Sequence, residues 1–342
     1  MWVSDLRASY KTASGPDVRA VDGVSLTVRE GEVLGIAGES GCGKSTLASV
    51  LALTPQRSLA ITGGAFGFDG RAVELTDLAH VPREWRGQLV ALLPQRAMNS
   101  LNPTARIRDL AYDVIHAHEP RVTRREAFDR TRQRLEHLSL PTRVIDSYPH
   151  QLSGGMRQRV VAVISTLLNP QVLIADEPSS ALDVSSQKLL VHLLQTLLAQ
   201  GVITRVVFIT HDLPLLSTIA DRIAIMYAGK IVEIGPTEQI VGHPEHPYTK
   251  ALIASMLDPN PLVRRRRIEG LPGAPPDLRY PPGGCSFHPR CSYAMDICAR
   301  EEPPKVGDEQ QFAACWWVQQ QRERGVVEGG IGEPRASISA SA

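Results

Sequence analysis

The chain carries almost no net charge: 37 lysines and arginines against 36 aspartates and glutamates leave +1 over 342 residues. No global field therefore draws it to nucleic acid or to an anionic membrane, and a histone-like protein is excluded. Long apolar runs are also missing. The most apolar stretch, 160–175, is interrupted by Asn169-Pro170-Gln171, whereas a membrane span needs about 20 apolar residues. The first residues, MWVSDLRASYK, are polar and lack the apolar core of a signal peptide, so a cytoplasmic chain is expected. With 27 glycines and 25 prolines it is no collagen or low-complexity chain. Cysteine is sparse and odd in number, five in all, with Cys42 alone early in the chain, which argues against a secreted disulfide framework. No internal repeat is present.

What is there reads as an α/β domain followed by something else. From Trp2 to about Thr237, β-branched apolar runs alternate with helical patterns. Val33–Gly38, Leu89–Pro94, Val172–Asp176 and Val206–Thr210 read as buried parallel strands, and Arg222–Tyr227 with Lys230–Ile234 as an antiparallel hairpin. Between Leu93 and Leu168 the pattern turns helical. Thr123-Arg-Arg-Glu126 is a capping box opening a helix to about Leu138, and Val160, Val163, Ile164, Leu167 and Leu168 form a stripe expected to face the core. Pro259 to Pro304 is proline-rich and without periodicity, a segment that would need a staple to order it.

Gly38-Glu39-Ser40-Gly41-Cys42-Gly43-Lys44-Ser45 matches G-x-x-x-x-G-K-[ST] in full, after an expected strand and before an expected helix. Such a loop curls backbone N–H groups around phosphate oxygens, and the helix N-terminus adds its positive end. Lys44 can reach the β- and γ-phosphates, and the Ser45 hydroxyl can ligate Mg²⁺. Cys42 reads as a small loop residue without a redox role. Val172–Ala175 ends in Asp176-Glu177: Asp176 is placed to hold Mg²⁺ through a water, and Glu177 to polarise the attacking water.

Leu152-Ser153-Gly154-Gly155-Met156-Arg157-Gln158-Arg159 resembles the signature motif of the ABC ATPases. The rest of that family's set follows in order: Gln95 matches the Q-loop glutamine, Ser180-Ala-Leu-Asp183 the D-loop, and His211 in Ile-Thr-His-Asp the switch histidine. Tyr10 lies where the family has an aromatic that stacks on adenine. The resemblance spans residues 2 to about 240 and departs at Met156, where glutamine is commonest. It implies a P-loop NTPase fold and a head-to-tail dimer holding two ATP molecules at the interface. Tyr10, the loop Gly38–Ser45 with Thr46, Gln95, Asp176, Glu177 and His211 would serve one nucleotide, with Ser45, Gln95 and Asp176 on Mg²⁺. Ser153, Gly154, Gly155 and Asp183 would complete the site of the opposite subunit. Glu177 would be the general base and His211 the γ-phosphate sensor.

Beyond the ATPase, His246-Pro247-Tyr248, Leu271-Pro-Gly-Ala-Pro-Pro and Gly284-Cys285-Ser-Phe-His-Pro-Arg290-Cys291 resemble the tail of the peptide and nickel importer ATPases, as does Ser100-Leu-Asn-Pro103. That resemblance implies an ATP-hydrolysing subunit of a di- or oligopeptide importer. Its expected partners are two transmembrane permeases, a second ATPase subunit and an extracytoplasmic binding protein, at the cytoplasmic face of the membrane. A nickel or other small-solute importer is the alternative, and a soluble non-transport ABC ATPase a further one. The expected division is an ATPase domain at 1–240 with a helical subdomain at about 95–168, a cysteine-containing domain at 241–325, and a disordered tail at 326–342.

Cys285, Cys291, Cys298 and Cys315 run C-x5-C-x6-C-x16-C. Four thiols in a coreless cytosolic segment suit metal ligation better than disulfides, and the spacing by itself leaves zinc and iron–sulfur open, with His288 able to substitute in a zinc site. The importer resemblance implies a 4Fe–4S cluster. Its distance in sequence from every nucleotide motif suggests a structural or redox role outside ATP hydrolysis. Arg264–Arg267 reads as a solvated linker.

Overall fold

The computed structural model describes residues 1–95, 101–180, 182–255 and 271–325. Ser100, Ala181, the run Arg264–Arg267 and the 326–342 tail lie outside them.

A main sheet of eight strands runs in the order β11-β12-β10-β9-β3-β8-β7-β6, built from Val33–Ala37 (β3), Val90–Leu93 (β6), Val172–Asp176 (β7), Arg205–Ile209 (β8), Arg222–Tyr227 (β9), Lys230–Pro236 (β10), Lys305–Gly307 (β11) and Phe312–Ala314 (β12). Every residue of β3, β7 and β8 is buried, as unbroken apolar runs in a parallel sheet require. Their side chains divide by the period of two. Leu34, Ile36, Val172, Ile174, Val207 and Ile209 face one core, and Val33, Ala37, Leu173, Ala175, Val206 and Phe208 the other.

The first core lies under an antiparallel sheet, β2-β1-β4-β5, formed by Trp2–Tyr10 (β1), Val18–Thr27 (β2), Leu59–Phe68 (β4) and Arg71–Glu74 (β5), with helix Lys44–Leu51 (α1) between the layers. The second core lies under helices Ile107–His118 (α2), Arg124–His137 (α3), Gly154–Thr166 (α4) and Val184–Ala199 (α5). The α3 capping box is present, with Thr123 Oγ1 accepting from Glu126 N at 3.3 Å and the Glu126 carboxylate accepting from Thr123 N at 2.9 Å. In the α4 stripe, Val160, Val163 and Leu167 are buried and Ile164 and Leu168 pack against the same core.

Short helices Leu213–Leu216 (α6), Thr237–Gly242 (α7), Pro247–Ala254 (α8) and Trp316–Glu323 (α9) complete the chain. The cysteine-bearing segment does not stand apart. β12 pairs with β10 (Glu233 with Ala313, Ile234 with Phe312), and β11 with β12, so the tail lengthens the main sheet. A cluster of rings orders the rest: Tyr227 and Tyr248 have centroids 4.5 Å apart, and Phe287 meets them at 5.2 and 5.3 Å. The staple that the sequence calls for is, in this structure, aromatic packing and strand addition.

Candidate nucleotide-binding site

Strand order creates the site. β8 lies between β3 and β7, so the loop after β3, the carboxylates ending β7 and the residues after β8 converge at the carboxyl ends of three adjacent strands. The loop 38–43 needs two of its glycines on steric grounds. A Cβ on Gly43 (φ 107°) would meet the Ala20 carbonyl oxygen at 1.9 Å, and one on Gly38 the Met226 oxygen at 2.1 Å. Gly43 caps α1 without a side-chain hydrogen bond, so the N–H groups of the first turn remain available to an anion, and no acidic residue sits in that turn. Lys44 is buried, with Nζ donating to the carbonyls of Gly38 (2.7 Å) and Glu39 (2.9 Å). Thr46 Oγ1 lies 3.2 Å from the Tyr10 hydroxyl, which ties β1 to α1. Cys42 is buried, and burial pushes its thiol up, away from the reactive thiolate.

Ser45 Oγ donates to Asp176 Oδ1 at 3.1 Å. Burial raises the Asp176 carboxyl, while the Ser45 hydroxyl and Lys44 pull it back. A hydroxyl and a carboxylate so placed are the hard oxygen donors that Mg²⁺ takes, and the donor set fits that ion. Glu177 has φ 46°, a left-handed backbone that costs a non-glycine residue about 1 kcal/mol or more. Its N–H holds the Ile209 carbonyl at 2.8 Å, which fixes the turn. The carboxylate accepts from Thr210 Oγ1 at 3.3 Å and lies 3.0 Å from His211 Nδ1 through both oxygens. Thr210 entered the sequence reading only as the residue before His211 and was given no role there. The Glu177 side chain is 9% exposed and that of His211 64%, so the histidine stands at the mouth of the site and the acid inside it. This geometry can accept a proton from a water approaching the loop.

Gln95 follows β6, is exposed, and bonds neither Ser45 nor Asp176. Ser153 caps α4, its hydroxyl accepting from Met156 N at 3.3 Å. Asp183 caps α5, with Oδ1 accepting from Ser186 N at 2.7 Å, and those hydrogen bonds hold its carboxyl below the usual range. Gln158 donates to the Pro178 carbonyl, and a Cβ on Gly155 would lie 3.7 Å from Ser186 Oγ. α4 is thus bonded to the turn after β7 and lies beside the first turn of α5. Among the described residues, no hydrogen bond joins Ser153, Gly154 or Gly155 to the phosphate loop, and these residues are exposed or half-buried.

The phosphate loop has neighbours that sequence reasoning did not assign to it. The Tyr248 hydroxyl accepts from Glu39 N at 2.9 Å, and Arg290 meets the Glu39 carboxylate with two bonds, at 2.7 and 3.0 Å. Both residues sit inside quoted tail motifs, but separations of 209 and 251 residues carry no local signal.

Of the tail cysteines, Cys298 and Cys315 are buried and Cys285 and Cys291 partly so, and all are free thiols. Cys285 N donates to the Cys298 carbonyl at 2.8 Å. Burial pushes Cys291 up to about 11 and Cys315 to about 12, and the neighbouring cysteines add to both. Among the described residues, no three His, Cys, Asp or Glu side chains are drawn together as a metal site. The cysteines act on one another's thiols and so share one neighbourhood, but nothing among the described residues supports a bound cluster or zinc ion.

Residues 21–180 match the ABC transporter family, and residues 232–298 match the oligopeptide/dipeptide transporter C-terminal region. The dipeptide transport ATP-binding protein DppD of Caldanaerobacter subterraneus subsp. tengcongensis is 41% identical over 315 residues, covering 92% of this chain and 95% of that protein. The oligopeptide transport ATP-binding protein OppD of Bacillus subtilis is 40% identical over 323 residues, covering 92% and 87%. The dimeric structure of MJ0796, a bacterial ABC transporter cassette, superposes with a TM-score of 0.59 at 24% identity, covering 69% of this chain and 98% of that one, which shows the same fold.

Proposed function

The chain belongs to the ATP-binding proteins of ABC transporters, in their oligopeptide/dipeptide group, and we propose that its ATP hydrolysis drives uptake of di- and oligopeptides through partner permeases. The observation that carries this reading is that the strands leading to the phosphate loop and to Asp176-Glu177 share one sheet with strands of the importer-type tail. The test is to purify the tagged chain from its own membranes and to follow labelled di- and tripeptide uptake in cells carrying Glu177→Gln. Multi-span permeases are expected in the preparation, and uptake is expected to fall. ATPase activity with no permease attached would favour a soluble ATPase, and loss of nickel uptake with peptide uptake intact would favour the metal importer.

In this reading the loop from Gly38 to Gly43, Lys44, Ser45 and Thr46 bind the triphosphate and Tyr10 lies by the base. Ser45, Asp176 and Gln95 would hold Mg²⁺, which when bound neutralises charge on the phosphate oxygens. Glu177 takes the proton of the attacking water, and Thr210 and His211 orient its carboxylate. Ser153, Gly154, Gly155 and Asp183 act on the nucleotide of a second ATPase subunit. Their exposure, and the absence of a bond to this chain's own loop, support that assignment. No helix among the described residues is long and apolar enough to cross a membrane. We therefore take the chain as peripheral, held at the cytoplasmic face by the permeases, with an extracytoplasmic protein delivering the substrate.

We take residues 1–240 as the ATPase and 241–325 as the importer-type extension. The 4Fe–4S reading rests on the importer resemblance, since four cysteines by themselves leave zinc open, and it requires Cys285, Cys291, Cys298 and Cys315 to close on the cluster. Anaerobic purification with iron, sulfide and zinc analysis tests it: iron and sulfide near four per chain support it, whereas one zinc, or neither metal, overturns it.

A further inference from the structure

We propose that Arg290, from the cysteine-bearing tail, is a positioning residue of the ATP site, neutralising and anchoring Glu39 of the phosphate loop. The inference rests on the nucleotide-site reading and extends it to a segment outside the motif set.

Glu39 opens the loop, directly after Gly38, and carries a negative charge into a site built for a polyanion. Left alone, that carboxylate would repel the phosphates it neighbours. Arg290 removes the conflict. Its side chain is 6% exposed and that of Glu39 19%, and the two form a fork-to-fork pair at 2.7 and 3.0 Å. Such bidentate pairs fix orientation as well as charge. The other Arg290 bonds hold it in place: Nε donates to the Pro272 carbonyl at 2.6 Å, and Nη1 also to the Tyr227 hydroxyl at 3.2 Å.

The backbone of Glu39 is held from the same side. Its N–H donates to the Tyr248 hydroxyl, so this group faces the tail and not the nucleotide. The tail also roofs the loop. Pro275, Pro276 and Leu278 enclose a cavity of about 80 Å³ against Glu39 and its neighbours, and Arg19 N donates to the Leu278 carbonyl at 3.0 Å. Main chain and side chain of one loop residue are therefore both fixed by residues more than 200 positions later. Arg290 precedes Cys291, whose N–H donates to the His288 carbonyl at 3.2 Å, so the arginine lies within the turn that leads to that thiol.

The test measures binding of the fluorescent analogue TNP-ATP to the full chain, with thermal midpoints taken without nucleotide. Arg290→Ala should weaken binding on the order of tenfold, the scale of about 1.4 kcal/mol. Arg290→Lys, which keeps the charge but not the fork, should fall between. Glu39→Gln combined with Arg290→Ala should restore affinity to within about twofold of the native chain, although both Arg290→Ala variants lose the same packing. A purely structural role moves the midpoint and predicts no such rescue. Native affinity in Arg290→Ala, or equal weakness in the single and double variants, would overturn the proposal. Should Arg290→Ala fail to fold, native affinity in Arg290→Lys would do so. Lys44→Ala serves as the reference: if it too binds normally, the nucleotide-site reading itself fails.

Discussion

Replacing Glu177 by glutamine separates chemistry from binding in this site. The substitution keeps the side-chain volume, and the strained φ of 46° is unchanged because glutamine meets the same backbone cost. Thr210 Oγ1, at 3.3 Å, can still donate to an amide oxygen, and His211 Nδ1 keeps one of its two 3.0 Å oxygen partners. None of the groups bonded to Glu177 belongs to the phosphate loop, so ATP affinity should stay within about twofold of native. What disappears is the only function an amide cannot supply, accepting a proton. A positioned general base contributes about 10²- to 10⁴-fold, or roughly 3–5.5 kcal/mol of barrier. Phosphate release from the assembled transporter, under saturating MgATP, should therefore drop by at least about 100-fold while TNP-ATP binding persists. Hydrolysis within about threefold of native would refute the assignment of the base. Equal losses of binding and turnover would refute the claim that Glu177 lies outside the binding surface.

Gly43→Ala should cost more than about 2 kcal/mol in denaturant unfolding, because the new Cβ lies 1.9 Å from a backbone oxygen at φ 107°; a native midpoint would refute the close approach. Arg222→Ala should cost about 3–5 kcal/mol, since it strands Glu32, its partner at 2.6 Å, where both side chains are 6% exposed; a loss below about 1 kcal/mol would show that water reaches the pair. The pH dependence has two opposed parts. Burial pushes Glu233 up to about 7 from 4.5, with nearby Glu245 adding to the shift, so the folded chain keeps a proton that the unfolded chain releases, and stability falls as pH rises from about 4.5 to 7. Burial pushes His246 down to about 3 from 6.5, with Lys250 acting in the same sense, so the unfolded chain binds the extra proton and stability rises from about pH 3 to 6.5. The two offset each other between about 4.5 and 6.5. Glu233→Gln should expose the histidine alone, and unfolding midpoints that stay flat across that window would refute the account.

The parallel strands were legible because each is an unbroken apolar run, and the phosphate loop because its spacing is dictated by phosphate geometry. The α3 start was legible from Thr123 and Glu126, whose bonds are local. β1 and β2 were not separated in the sequence because their pairing shifts register between Val3 and Leu6 and again near Arg7, which breaks the alternation that marks a strand. β11 and β12 have three residues each, too few to show a period. The bond from Arg290 to Glu39 was invisible for a different reason. Distance along the chain suggested a role for the cysteine segment outside ATP hydrolysis and said nothing of where it lies; the fold lays Arg290 of that segment against the loop. Thr210 could have been suspected, since it lies next to His211 and its hydroxyl has the reach to meet Glu177.

The addition of β12 to β10 also bears on solubility. An unpaired sheet edge offers a row of N–H and C=O groups to any passing strand. β10 is mostly buried and apolar, and among the described residues its outer partner is Phe312–Ala314, beyond which lies the three-residue β11 with Lys305 at its start. A nascent chain that has emerged only as far as α8 would present β10 as an open, sticky margin. Release of the last strands closes it behind a short lysine-bearing rim, so the segment that steadies the phosphate loop is also the one that keeps one copy of the protein from zipping onto the next.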